Sequence, residues 1–357
     1  MGSSLNGSGG DSSYGDRRRK TQGRPTTIGT DRAPRPSPEP ARLGTPPWSH
    51  QLLPLNAPLP VRDGVGPSSI ALPGGAWPRL ADFLRERFPE VAAETWLARA
   101  ARGELRRQNG ETLHPEQPYQ AGGALYYYRE LESEPEIPFQ AELIHRDAQL
   151  LVVDKPHFLP VIPAGRFLQQ TLLVRLKREL GLDGLVPLHR LDRGTAGLVL
   201  FSVNPETRGR YQQLFPTRAV EKVYEALAPS LPGLPLPLRH RSRLLEGEPF
   251  FRMREAEGEA NSETLIETQE VLGQGLSRYR LQPLTGRKHQ LRVHLAALGA
   301  PIVNDSFYPE LRPALEDDYR HPLQLLARAV RFADPLTGAE RHFKSRRQLD
   351  PGTANPA

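Results

Sequence analysis

Apolar side chains first recur at helical spacing at Leu80, Phe83, Leu84 and Phe88, the stripe that one buried helix face requires. Pro89 punctuates this stripe, and residues 91–101 read as a second helix. Asn109-Gly110 is a turn signal, and Ala124 to Tyr128 is strand-like. From Phe139 the pattern shifts to short apolar runs. Leu143-Ile144 and Leu150-Leu151-Val152-Val153 predict strands on either side of the polar His145-Arg146-Asp147. Residues 170–180 predict an amphipathic helix that Gly181 ends. Residues 198–203 read as a strand, 206–215 as a helix and 222–227 as another strand. Further strands follow, with one helix near 290–298. Strands outnumber helices and do not alternate strictly with them. The expected fold class is therefore α+β with a mixed, mainly antiparallel sheet, not a doubly wound fold. No internal repeat is found.

The pattern also divides the chain. Residues 1–45 are Gly, Ser, Pro and Arg with few large apolar side chains, too few to offset the entropy of ordering, so disorder is expected. The Arg17-Arg18-Arg19-Lys20 cluster there reads as a solvated charge run. Residues 46–130 form a proline-rich wrap and a small α+β module, 131–138 an acidic linker, 139–349 the main domain, and 350–357 a disordered tail.

Composition narrows the function. The 357 residues carry 47 Lys+Arg against 41 Asp+Glu, a net +6, which suits a polyanionic partner. There is no cysteine, which excludes disulfides, thiolate metal sites and cysteine nucleophiles. No apolar run reaches the roughly 20 residues needed to span a bilayer, and the N-terminus has no apolar signal core. A cytoplasmic protein with no membrane partner is expected.

Candidate chemistry gathers in a few segments. In His189-Arg190-Leu191-Asp192-Arg193-Gly194-Thr195-Ala196-Gly197, a polar loop carries an aspartate flanked by arginines just before an apolar strand. Loops on a rigid sheet are where chemistry usually sits, although an isolated aspartate of this kind more often serves a turn or a helix cap. Thr285-Gly286-Arg287-Lys288-His289-Gln290-Leu291-Arg292-Val293-His294 places more cations at a turn entering a helix. Lys222-Val223-Tyr224, Asp154-Lys155-Pro156-His157-Phe158-Leu159-Pro160-Val161 and Gly299-Ala300-Pro301-Ile302-Val303-Asn304-Asp305 complete the set. A metal set from His189, Asp192, His289 and His294 is disfavoured, because a spacing of five does not align two histidines on a helix face.

Five segments in this order resemble the RluA-like RNA pseudouridine synthases. The resemblance implies a pseudouridine synthase catalytic fold and isomerisation of uridine in structured RNA, either tRNA or ribosomal RNA. No cofactor and no metal are implied, and a monomer is expected. Asp192 would be the catalytic aspartate, Arg292 its partner, and Tyr224 the ring that stacks on the target base. Arg190, Arg193, Arg287, Lys288 and His289 would meet RNA, Arg190 by entering the stack. The N-terminal module resembles the alpha-L RNA-binding module, with Arg106 and Arg107 as RNA contacts beside Arg99 and Arg102. The chain departs from the pattern at Phe158 and Asn304, where glycine is usual, and at Gly194, where a polar residue is usual. The alternatives are a non-catalytic RNA-binding protein that keeps the fold and, more distantly, a metal-dependent hydrolase.

Overall fold

Residues 57–131, 133–312 and 318–353 are described by the structure, a computed structural model. The expectations for residues 1–45 and for the last four residues lie outside this range. The N-terminal part comprises β1 (Ser68–Ala71), α1 (Leu80–Arg87), α2 (Ala93–Ala101), β2 (Arg106–Arg107) and β3 (Ala124–Tyr127). β3 lies between β1 and β2, antiparallel to both. The helix stripes do what their spacing demands: Leu80, Phe83 and Leu84 meet Trp96 and Ala100, over Ile70, Leu125 and Tyr127 of the sheet.

The arginines of this module are engaged within it. Arg99 is 4% exposed and lies over the Trp96 ring at 4.7 Å. Arg102 pairs with Glu104 and Glu130 at 2.8 and 2.6 Å. Arg106 donates to the carbonyls of Gly103 and Gly110, and Arg107 to those of Gln120 and Gly122. Carbonyls left over at tight turns need donors, and these guanidiniums supply them.

The main part runs β4 (Glu142–Arg146), β5 (Leu150–Lys155), α3 (Leu172–Leu180), β6 (Val186–Pro187), β7 (Ala196–Ser202), α4 (Arg208–Gln213) and β8 (Glu221–Pro229). It continues with β9 (Leu238–Glu246), β10 (Met253–Ala256), β11 (Ser262–Gly273), β12 (Leu276–Pro283), α5 (Gln290–Ala297), β13 (Leu325–Ala333) and β14 (Glu340–Lys344). One eleven-stranded sheet has the order β10-β9-β11-β12-β8-β13-β7-β5-β4, with β14 on β13 and β6 on β7. Among the described strands β13–β7 is parallel and every other pairing antiparallel, the mixed sheet the pattern predicts.

β5 and β7 are apolar throughout because both faces of the sheet are covered there. Leu151, Val153, Val199 and Phe201 enter one core cluster, while Leu150, Val152, Leu198 and Leu200 enter the opposite one. α3 starts where Thr171 accepts the N–H of Val174 and stops at Gly181, whose φ of +66° is the left-handed cap glycine favours. The expected linker is docked rather than free. Glu134 accepts the N–H groups of Leu168, Gln169 and Gln170 at 2.6–2.8 Å, and Ile137 is buried against Phe201 and Val199. Its acidity serves the loop before α3.

The parallel pair explains Gly197. A Cβ there would lie 2.3 Å from the carbonyl oxygen of Ala327 on β13, and the residue has φ +111°. Backbone cannot move aside as a side chain can. Gly197→Ala is expected to lower stability by about 3 kcal/mol or more, the overpacking and left-handed penalties acting together. A urea denaturation midpoint unchanged from wild type would contradict this.

Candidate active site

The sheet order brings the sequence segments together. Register places Ala327 of β13 opposite both Gly197 of β7 and Tyr224 of β8. The loop that ends at Gly197 and the tyrosine of Lys222-Val223-Tyr224 therefore share one end of three adjacent strands. Tyr224 packs between two core clusters. Burial and the nearby charge of Asp192 raise the pKa of its hydroxyl, so the ring stays neutral.

Asp192 is one-third exposed at its side chain. Its carbonyl accepts the N–H of Thr195 at 3.1 Å, which closes the turn. Arg292 donates from Nη1 to its Oδ2 at 3.2 Å. The other face of the same guanidinium is held by Asp305, from Nε to Oδ2 and from Nη2 to Oδ1, both at 2.7 Å. Asp305 in turn accepts the N–H groups of Phe307 and Tyr308. A buried guanidinium is costly unless fully paired; here Asp305 fixes it and it fixes Asp192. Burial alone would raise the pKa of Asp192. His289 and Arg292 outweigh that, with a smaller contribution from Arg190, and hold it below the ordinary carboxylate value.

The remaining predicted residues divide into two groups. Arg190 is exposed and Lys288 half-buried near Asp192, while burial lowers the pKa of the Lys288 ammonium. His289 is buried, with Nε2 at 3.8 Å from Oδ2 of Asp192. Arg193 turns inward, donating to the carbonyl of Phe158 at 3.0 Å and lying over the Phe167 ring. Arg287 is exposed and donates to the carbonyl of Asn261. These two hold loops in place.

The Asp-Lys-Pro segment braces the Asp192 loop. Lys155 is fully buried, and its three donors meet the carbonyls of Pro156, Leu159 and Arg193 at 2.8–3.2 Å. Burial pushes its pKa down to about 7. His157 contacts the carbonyl of Gly194 through Nδ1 at 2.7 Å. Asp154 points elsewhere, accepting from Ser345 and the N–H of Arg346. Sequence reasoning gave Asp305 and Lys155 no role; the signal was there, since both lie in segments of the resemblance.

His189, His289 and His294 have separate partners. Nε2 of His189 accepts the N–H of Leu200. His240, Glu255 and His294 do lie within ligand-like reach of one another. Their polar atoms already close a network. Gln290 donates to Oγ1 of Thr264, leaving that hydroxyl to donate to Nδ1 of His294. Nε2 of His294 then donates to Ser262, which donates to the carbonyl of Ser242. His240 pairs with Glu255 at 2.7 Å.

Residues 149–297 match the family model described as RNA pseudouridylate synthase. A Synechocystis protein named as an uncharacterized RNA pseudouridine synthase is 32% identical over 236 residues, 64% of this chain and 79% of that protein. RNA pseudouridine synthase 5 of Arabidopsis thaliana is 26% identical, covering 76% of this chain and 80% of its own length. The tRNA pseudouridine(31) synthase of Saccharomyces cerevisiae is 33% identical over 46% of each chain. With the match running through the Asp192 loop, Tyr224 and Arg292, this chain belongs to the RNA pseudouridylate synthase family.

Proposed function

We propose that this chain isomerises uridine to pseudouridine within structured RNA, with Asp192 as the reacting carboxylate. The observation that carries this reading is a partly exposed aspartate held ionised by a buried, doubly paired arginine. A binding module has no use for that arrangement. The target base leaves its stack at a cost of a few kcal/mol, with the exposed Arg190 free to take its place. Uracil then stacks on Tyr224. The bond between C1′ and N1 breaks, the ring turns, C1′ joins C5, whose hydrogen leaves as a proton, and the freed N1 takes up a proton. Attack on C1′ and removal of the C2′ proton both start from ionised Asp192. Arg292 holds that charge before substrate arrives, which is electrostatic preorganisation. Transfer RNA is the first substrate to test, because a relative of this chain is named as a tRNA pseudouridine synthase.

The hydrogen lost from C5 provides the assay. Wild-type protein is expected to release tritium from tRNA or ribosomal RNA labelled at C5 of uracil, with chelator present. Release from neither pool, with RNA binding intact, would favour the non-catalytic alternative.

A further inference from the structure

Two supports of Asp192 converge on one oxygen. Nη1 of Arg292 lies 3.2 Å from Oδ2, and Nε2 of His289 lies 3.8 Å from the same atom. His289 precedes α5 with φ +55°, in the left-handed region that residues other than glycine seldom occupy. Its Nδ1 is 2.9 Å from the hydroxyl of Tyr308. That oxygen already accepts the N–H of Met253 at 2.7 Å, and Tyr308 is 5% exposed. Burial pushes the pKa of the hydroxyl up to about 12, so it keeps its proton. A buried O–H needs an acceptor, and Nδ1 of His289 is in reach. An imidazole that accepts at Nδ1 carries its proton on Nε2, the nitrogen facing Asp192.

We propose that Tyr308 and His289 are positioning residues: the Tyr308 hydroxyl donates to Nδ1 of His289 and fixes the tautomer whose Nε2–H faces Oδ2 of Asp192. Arg292 and His289 together then occupy Oδ2 and leave Oδ1 to react. This rests on the reading of Asp192 as the reacting carboxylate. The 3.8 Å separation exceeds a hydrogen bond, and such contacts commonly tighten only when substrate binds. Asp192, Arg292, Lys288, Asp305 and Tyr308 are the charged and titratable groups facing the ring. Burial is the strongest influence on it and pushes its pKa down to about 4, so it acts as a neutral donor.

The test measures tritium release from C5-labelled tRNA transcripts for wild type, Tyr308→Phe, His289→Leu, His289→Gln and the Phe/Leu double variant. Each of Tyr308→Phe and His289→Leu is expected to lower kcat about tenfold while KM stays within about twofold. The double variant should be no worse than His289→Leu alone. His289→Gln, whose amide N–H can reach the position of Nε2, should recover most of the loss. Wild-type turnover in either single variant, multiplied losses in the double, or no recovery with glutamine overturns the proposal. Nitrogen-15 spectra of imidazole-labelled wild type, with His289 assigned by the glutamine variant, read the tautomer directly. A protonated Nδ1 overturns the proposal whether or not any variant folds. Absence of tritium release by wild type counts against the proposed function and leaves the tautomer to the spectra.

Discussion

Asp192→Asn leaves a folded protein that binds RNA and does not turn it over. The loss of tritium release is expected to exceed about a thousandfold, roughly 4 kcal/mol of transition-state stabilisation, while the Kd for RNA changes by less than about threefold. The geometry separates the two effects. Asp192 is one-third exposed, so its amide can be solvated. Arg292 does not become an uncompensated buried charge, because the bidentate pair with Asp305 remains. Asp305→Ala is the opposite case, since it strips a buried guanidinium of its main partner, a change that typically costs about 3–5 kcal/mol. Tritium release and filter binding on the same preparation decide the matter. If affinity falls with turnover, Asp192 is a structural residue of the loop and the assignment is wrong. The pH dependence follows with the same sign. The pKa of Asp192 lies below its ordinary value, so its ionisation does not limit activity above the usual carboxylate range, and activity lost there reflects unfolding.

Much of this was legible in the chain because the relevant signals are local. The continuous apolar runs of β5 and β7 and the cap pair Thr171 and Gly181 are written within a few residues of where they act. The site was legible for a different reason: five segments far apart in sequence each carry a recognisable piece of it. What local reading misses is the identity of a charge's partner. Arg106, Arg107 and Arg193 look like free cations in sequence, yet their donors go to backbone carbonyls that only the fold brings near. Glu134 looks like part of a solvated linker and instead caps three N–H groups more than thirty residues away.

The two positions at which the resembled family usually has glycine both lie at positive φ in this chain. Asn304 adopts φ +61°, a left-handed conformation that asparagine tolerates. Phe158 likewise lies in the left-handed region, at φ +66°. The strain of a bulky side chain at positive φ, of order 1–3 kcal/mol, is offset by its ring. Phe158 stacks on Phe139 at 6.0 Å and meets Tyr319 edge-on at 5.2 Å. Its carbonyl is the acceptor for Arg193, so the substitution stays coupled to the Asp192 loop.

Acid should unfold this protein well above the range in which its carboxylates titrate. Burial pushes the pKa of His157, His289 and His294 down to about 4 and that of His189 down to about 3. In the unfolded chain these histidines titrate near 6.5. The unfolded state therefore binds more protons between those limits, so the stability they contribute is complete above about pH 6.5 and falls as pH drops toward the folded values. At 1.36 kcal/mol per proton and pH unit, each costs up to about 2 kcal/mol at pH 5. His157 and His189 are only partly buried, so a total of about 4–8 kcal/mol is the fair range, comparable to the whole stability of an ordinary domain. The contacts give the same sign: protonating His189 forfeits the bond from the N–H of Leu200, and protonating His294 breaks its hydroxyl network. Thermal melts at pH 7.5, 6 and 5 should show Tm falling steeply over the lower interval. His157→Asn, which keeps a donor for the carbonyl of Gly194, should remove close to one proton from that dependence. A Tm flat from pH 7.5 to 5 would mean that these imidazoles are hydrated or paired in solution, and that burial does not hold them neutral.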